Sequence, residues 1–436
     1  MRLTVLGLLL MLPAVALQLA GAYVPAAGAV GWAWLGLIAA LAVLDAFWAR
    51  GACRVELERL VPERLSLGVE TQVGIRVRNR TPRSWRLVVK DDPPELFRQT
   101  GRERTVRLGP FEEGEIRYPL LPTRRGDFEF GDAHLRGTGR LGFCAWHKSV
   151  PLAAPTSVYP NLVQVDRYEA LARADRLQQA GFRPLRVQGQ GAEFESLREY
   201  IPDDEYGSID WKATARRNRP IVRLYDIERS QTLMLMVDAG RMMTAEVGGL
   251  TKLDHAVNAA LMLAHVASHT GDCVGMMAFG RTLKAFVPAG RGAAQVGRIL
   301  DQLYAVQPAL EEPDYDRAFA ALAHRCRKRA LVVLFSDLVD EDCSRSLMAH
   351  AGALRPRHLP LLVTLRDPDL EAVGRGVPAD VNAAYERAVA ADVLARRDAA
   401  LATLRARGAL VVDAPAGNLT VATVNQYLQL KARGML

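Results

Sequence analysis

The sequence predicts a multidomain chain: a membrane-spanning helical hairpin, then an all-β sandwich, then an open α/β sheet with one antiparallel edge strand. Three observations predict it. No Asp, Glu, Lys, Arg or His occurs from Leu3 to Leu44. Apolar and polar residues alternate from about residue 54 to 160, and beyond residue 230 short apolar runs alternate with helical patterns. At 436 residues the chain is too long for one core, and domains of roughly 100–200 residues would divide it into two or three. The boundaries read as 1–50 for two transmembrane helices, 51–160 for the sandwich, 161–190 for a helical linker and 191–436 for the α/β domain.

A hydrocarbon core needs about 20 apolar residues per helix, so the uncharged run suffices for two passes. Pro25, Gly28 and Gly31 supply a turn between Tyr23 and Gly31, while Trp32 and Trp34 suit the far interface and Trp48 the near one. Arg2 precedes the hairpin and Arg50 and Arg54 follow it, which puts the large C-terminal part on the cytoplasmic side. A cleaved signal peptide over Met1 to Ala22 is the rival reading, and the second apolar run that follows at once argues against it. Asp45 reads as an interfacial residue at the helix end rather than a proton or ion relay. Because Arg2 and Asp45 cancel, the formal net charge of +8 belongs to residues after position 49. That favours contact with an anionic leaflet or an acidic partner. The five cysteines form no CxxC pair, which fits free thiols in a reducing compartment.

The sandwich rests on period-two runs such as Val73, Ile75, Val77, then Leu87, Val89, then Ile116, Tyr118, Leu120. Turns at Thr81-Pro82, Asp92-Pro93-Pro94, Gly109-Pro110 and Arg125-Gly126-Asp127 separate them, a spacing that suggests an immunoglobulin-like layout. In the last of these Gly126 and Asp127 are turn formers, not an adhesion motif. Residues 166–179 read as a connecting helix.

In the α/β part the expected strands are 233–237, 273–279, 283–287, 330–335, 359–365 and 409–412. Helices are expected near 253–269, 294–304, 315–327, 344–354, within 379–405 and at 420–431. Only Gly280, Arg281 and a neighbour separate the second and third strands, too few for a parallel crossover, so that pair is an antiparallel hairpin at one edge.

The stretch from Gly191 to Asp238 sets charges and aromatics directly before an apolar strand ending in Asp238. Open α/β sheets place ligands at such strand ends. Its candidate partner-binding residues are Glu193, Arg198, Tyr200, Asp204, Asp210, Trp211, Lys212, Arg216 and Arg217, and the exposure of Trp211 decides between an interface anchor and core. The run 212–223 holds five cations and no acid. Its ordinary reading is a solvated face and its alternative a nucleic-acid contact, for which no zinc-finger, helix-turn-helix or RNA-binding aromatic pattern speaks. His265 and His269 have metal-ligand spacing, yet Val266 stands where a zinc protease has its glutamate. No nucleophile elbow, phosphate loop or dinucleotide fingerprint occurs.

The strand layout resembles the von Willebrand factor A fold. EFESLREY, IDWKATAR, IERSQ and DAGRMM, in that order, resemble the bacterial family called domain of unknown function 58, closely over residues 191–337 and loosely over the whole chain. The resemblance implies an inner-membrane protein with cytoplasmic domains and a MoxR-type AAA+ ATPase partner, and it carries no enzyme activity. The Pro202-Asp203-Asp204-Glu205 turn departs from the family's Pro-Gly-Asp-Asp pattern. Von Willebrand A domains hold a divalent cation with an Asp-x-Ser-x-Ser loop, a threonine and a further aspartate. Here Asp238-Ala239-Gly240-Arg241-Met242 has lost both serines, Asp314 and Asp316 stand where the threonine is expected, and Asp337 remains. The expectation is a degenerate Mg²⁺ site at Asp238, Asp314, Asp316 and Asp337, or a site without metal in which backbone N–H groups and Arg241 satisfy Asp238. The resulting reading is a membrane-anchored, non-enzymatic scaffold or adaptor that binds proteins. Its alternatives are a metal-dependent hydrolase at the sheet edge and nucleic-acid binding through residues 212–223.

Overall fold

The computed structural model describes residues 2–49, 54–101, 103–138, 141–161, 181–182, 193–201, 206–217, 219–226, 231–338, 345–354 and 357–435. They form two compact units, Met1–Tyr159 and Pro160–Leu436. The expected connecting helix at 166–179 lies outside the described residues.

The first unit opens with strand β1 (Arg2–Leu3) and helices α1 (Val5–Leu9), α2 (Leu12–Gly21) and α3 (Pro25–Ala49). Among the described residues one helix, Pro25–Phe47, is long and apolar enough to cross a membrane, while Val5–Gly21 is shorter. Of the two expected passes α3 alone reaches that length, and the first arm is broken at Leu10–Met11, where Trp34 Nε1 donates to the Leu10 carbonyl at 3.0 Å. The turn is also tighter than expected: α3 starts at Pro25, as suits a residue with no N–H to lose. Gly28 and Gly31 therefore lie inside the helix. A Cβ on Gly21 would meet Gly28 Cα at 2.7 Å, so glycine here serves close approach of α2 and α3.

Two sheets follow, with strand orders β1-β11-β10-β5-β7 and β2-β4-β8-β6. The first uses β5 (Trp85–Lys90), β7 (Glu103–Leu108), β10 (Ala133–Thr138) and β11 (Cys144–Val150). The second uses β2 (Val55–Leu60), β4 (Thr71–Asn79), β6 (Phe97–Gln99) and β8 (Glu113–Pro122). Their alternate apolar residues share one core, with Val55, Ile75 and Val77 against Trp85, Leu87, Leu135 and Trp146, as the period-two pattern predicts for a sandwich. A third, small sheet joins β3 (Arg64–Ser66), β12 (Ala154–Tyr159) and β9 (Gly126–Phe130), with β12 parallel to β3. Arg125 is 2% exposed, so the arginine of the Arg-Gly-Asp triplet is not displayed, while the exposed Asp127 accepts from the Ser157 hydroxyl at 2.7 Å. Asp45 is buried, and its carboxylate accepts from the N–H groups of Leu141 at 2.8 Å and Phe143 at 2.9 Å. It ties α3 to the β10–β11 turn, a structural role beyond that of an interfacial residue.

The second unit is built on a six-stranded mixed sheet of order β19-β18-β15-β20-β21-β22. Its strands are β15 (Thr232–Asp238), β18 (Cys273–Phe279), β19 (Leu283–Gly290), β20 (Leu331–Phe335), β21 (Leu359–Arg366) and β22 (Leu410–Pro415), with β16 (Glu246–Val247) and β17 (Leu250–Thr251) forming a separate antiparallel pair after β15. All neighbours are parallel except the β18–β19 hairpin at the edge, as the short connection requires. Successive residues of β15 feed opposite faces. Leu233, Leu235 and Val237 pack with α5 (Lys252–His269), α6 (Ala293–Tyr304) and α11 (Leu419–Ala432). Met234 and Met236 pack with α7 (Tyr315–Arg325), α8 (Arg345–Ala353) and α10 (Val381–Ala406). Helix α9 (Pro368–Arg375), which the sequence pattern does not reveal, is capped by Asp367. At the opposite end of the sheet, buried Asp272 accepts from Lys431 Nζ at 2.7 Å and Tyr427 Oη at 2.5 Å, fastening α11.

A further pair of strands is not hydrogen-bonded into this sheet. Strands β13 (Glu193–Glu199) and β14 (Ile221–Asp226) form an antiparallel pair, joined by a chain that includes helix α4 (Trp211–Arg217).

Candidate functional site

Asp238 ends the central strand β15 and is 1% exposed. The Gly240 N–H donates to its Oδ1 at 2.8 Å, and the hydroxyls of Ser336 and Tyr315 donate to its Oδ2 at 2.7 and 2.8 Å. A Cβ on Gly240 would meet Pro313 Cδ at 2.7 Å, so glycine is required for this approach. Burial pushes the Asp238 carboxyl above its ordinary value, and the donated hydrogen bonds only partly oppose it. Burial and the neighbouring Asp238 carboxylate in turn hold the Tyr315 phenol well above its ordinary value. The group is closed on itself, because the Tyr315 and Ser336 oxygens also meet at 2.9 Å.

Asp337 lies one residue past Ser336 and is also buried, at 7% exposed. Lys252 Nζ donates to its Oδ2 at 2.6 Å, while Thr364 Oγ1 and the Leu338 N–H reach Oδ1 at 3.0 and 2.9 Å. Thr364 also accepts from Arg397 Nη2 at 3.0 Å, and Arg397 grips Asp413 through two bonds of 2.8 and 3.2 Å. Arg366 adds a contact to Asp413 at 3.1 Å. The cavity beside this chain, about 160 Å³, is lined by Lys252, Asp337 and Arg397 together with Met242, Leu365 and Leu394. Its buried cations are each matched by an acid, so its charge does not select an anionic ligand.

The four acids expected to hold a cation do not converge. Asp314 caps α7, accepting from the Arg317 N–H at 2.8 Å, and Asp316 accepts from the Ser346 hydroxyl at 2.6 Å. The residue between them, Tyr315, is the one that reaches Asp238. Among the described residues no three His, Cys, Asp or Glu side chains gather as cation ligands. The Lys252 ammonium compensates Asp337, so the residues present do not fit a divalent ion. Arg241, expected as a partner of Asp238, instead pairs with Glu312 at 2.7 Å. The rings of His265 and His269 are tilted at 45° to each other with centroids 4.2 Å apart, and His269 Nδ1 lies 3.1 Å from the His265 carbonyl.

Lys252, Tyr315, Ser336 and Arg397 escape a motif search because none belongs to a motif. Lys252 did carry a signal. A cation at the first position of a helix opposes the helix dipole, and it sits there stably only beside an acid.

The predicted partner-binding residues cluster in the hairpin and α4. Asp210 caps α4, its carboxylate accepting from the N–H groups of Lys212 at 2.9 Å and Ala213 at 3.0 Å. Thr214 accepts from the Ile221 N–H at 3.0 Å, locking the helix to β14. Trp211 is 62% exposed, with Tyr206 6.1 Å away, ring to ring, and itself exposed, as are Lys212 and Arg216. Trp211 is therefore surface, not core. Tyr200 is half-buried. Glu193 and Arg198 pair through the backbone with Asp226 and Val222. Their side chains, that of Arg217 and all of Asp204 lie outside the described residues.

Residues 196–407 match the family described as "Protein of unknown function DUF58". The uncharacterized protein YeaD of Bacillus subtilis (strain 168) is 28% identical over 121 residues, a match that spans 28% of this chain and 30% of that relative's length. Both findings support the DUF58 family. Among solved structures, Salmonella alpha-2-macroglobulin reacted with methylamine aligns over 24% of this chain and 7% of its own, at 20% identity and TM-score 0.19. A CARDB domain from Pyrococcus furiosus aligns over 24% of this chain and 86% of its own, at 18% identity and TM-score 0.17. TM-scores this low establish no shared fold.

Proposed function

We propose, taking the DUF58 family as the premise, that this chain is a membrane-anchored adaptor whose second unit is von Willebrand A-like and docks a protein partner, a MoxR-type AAA+ ATPase, through the hairpin and α4. The strand order, with its antiparallel edge strand beside an otherwise parallel sheet, supports the von Willebrand A-like reading. The apolar helix Pro25–Phe47 supports anchoring in the bacterial inner membrane with both soluble units in the cytoplasm. The observation that carries the docking reading is Trp211: a tryptophan held in solvent beside Tyr206, Lys212 and Arg216, on a helix locked by Asp210 and Thr214. Preorganised aromatics flanked by cations are what interface anchors are made of.

The sheet edge contributes no bond chemistry on this reading. Its two acids are spent on internal donors, and the nearest hydroxyls, of Ser336 and Tyr315, are buried with Asp238. Capture of the ATPase from membranes tests the proposal. Trp211→Ala should weaken retention by about 2 kcal/mol, roughly 30-fold, as for an interface hot spot. Retention within threefold of wild type for Trp211→Ala combined with Arg216→Glu would sink the surface. A steep salt slope for binding of single-stranded or duplex DNA would favour the nucleic-acid alternative instead.

A further inference from the structure

We infer that one end of the β-sandwich is a lipid-contacting rim, with Phe111 as the side chain that enters the interfacial region of the bilayer. The inference rests on the membrane-anchored reading of the hairpin. Strand register identifies the end. Leu3 of β1 pairs with Cys144, and the β10–β11 turn that follows Thr138 is held by Thr4 and Asp45. This is the end at which α3 joins the sandwich. Gly137 pairs with Leu87 and Trp85 with Leu108, while Val55 pairs with Asn79 and Arg78 with Glu113. The 80–84 and 109–112 loops therefore project from that same end.

Phe111 sits in the second of these loops, 67% exposed and at φ 55, a backbone region that a bulky residue seldom occupies. It is the one described non-glycine residue with positive φ. The loop is not lax. Asn79 donates its amide to the carbonyls of Gly109 at 2.6 Å and Arg83 at 2.7 Å. The Phe111 N–H donates to the Thr81 carbonyl at 3.1 Å, and Trp85 Nε1 donates to Thr81 Oγ1 at 2.8 Å. An aromatic held outward on a welded loop, at the end of the domain where an apolar helix enters, has the amphipathic setting of an interfacial anchor. Exposed Arg54 and Arg83 on the same rim suit phosphate head groups.

The opposite end supplies its own control, because Leu96 precedes β6, whose Phe97 pairs with Pro122, and is also an exposed apolar residue. Phe111, Leu96 or Leu37 of α3 is replaced singly by p-benzoylphenylalanine in the full chain. The protein is then reconstituted in phosphatidylcholine–phosphatidylglycerol nanodiscs, irradiated and weighed by mass spectrometry. The expected result is a one-lipid mass increment at positions 111 and 37 and none at 96. Lipid adducts at 37 but not at 111, or equally at 111 and 96, would overturn the rim while leaving the anchor standing. No adduct at 37 would remove the anchored reading on which the rim depends.

Discussion

Replacing Lys252 by methionine removes the ammonium that lies 2.6 Å from Asp337 Oδ2 in a pair whose side chains are 10% and 5% exposed. Breaking a buried pair from one side costs about 3–5 kcal/mol, because the remaining charge is left uncompensated. Asp337 would keep Thr364, the Leu338 N–H and the Arg397 guanidinium, whose Nε is 3.8 Å away, so the low end applies. Relief of a cation from the first turn of α5 returns about 0.3–1 kcal/mol. The net loss is about 2–3 kcal/mol, or roughly 30- to 150-fold in the opening equilibrium. Asp337→Asn in the same chain removes the stranded carboxylate, so the double variant should regain most of the loss, since neutral replacement of both partners is often tolerated. Hydrogen exchange of the β20 and β21 amides in the full chain reads this directly. Unchanged exchange in Lys252→Met, or a double variant no slower than the single, would refute the ammonium's role as the resident cation.

Three further outcomes follow from the same geometry. Because the folded Asp238 carboxyl lies above its unfolded value, the native state binds more protons between the two, and its contribution to stability falls as pH rises through that window. Asp238→Asn should therefore flatten the fall in melting temperature from the ordinary carboxylate range upward, and a wild-type slope would contradict it. Asp272→Ala strands Lys431 beneath α11 and should cost about 3 kcal/mol, roughly 6–12 °C in the melting temperature of the second unit; a shift under about 2 °C would deny the pair its role. Gly21→Val has to push Gly28 away, so it should loosen the α2–α3 hairpin and speed proteolysis at Ala22–Val24, whereas Gly36→Ala, with nothing near its Cβ, should not.

The elements that are legible in the sequence are those whose apolar pattern has no rival. Val73, Ile75 and Val77 alternate and are core; the runs at 233–237 and 331–335 are buried on both faces and form the centre of the sheet. The β18–β19 hairpin follows from loop length alone. The β13–β14 pair does not show, because charged residues crowd it and no period survives. Helix α9 hides for lack of any buried residue. At the site, Asp238 and Asp337 are visible as acids after apolar strands. What satisfies them depends on which way Tyr315 turns and on where Lys252 falls across the fold. In Asp314-Tyr315-Asp316 the two acids carry the metal-ligand pattern, while the tyrosine between them, which belongs to no motif, is the residue that reaches Asp238.

The most direct measurement is retention of the proposed partner, a MoxR-type AAA+ ATPase, by the full chain in membranes, with and without a divalent-cation chelator, ATP being omitted throughout. Equal retention in both conditions is expected for wild type, and loss of retention for Trp211→Ala. Release by the chelator, reversed by added Mg²⁺, together with saturable Mg²⁺ binding heat in the isolated full chain, would contradict that expectation.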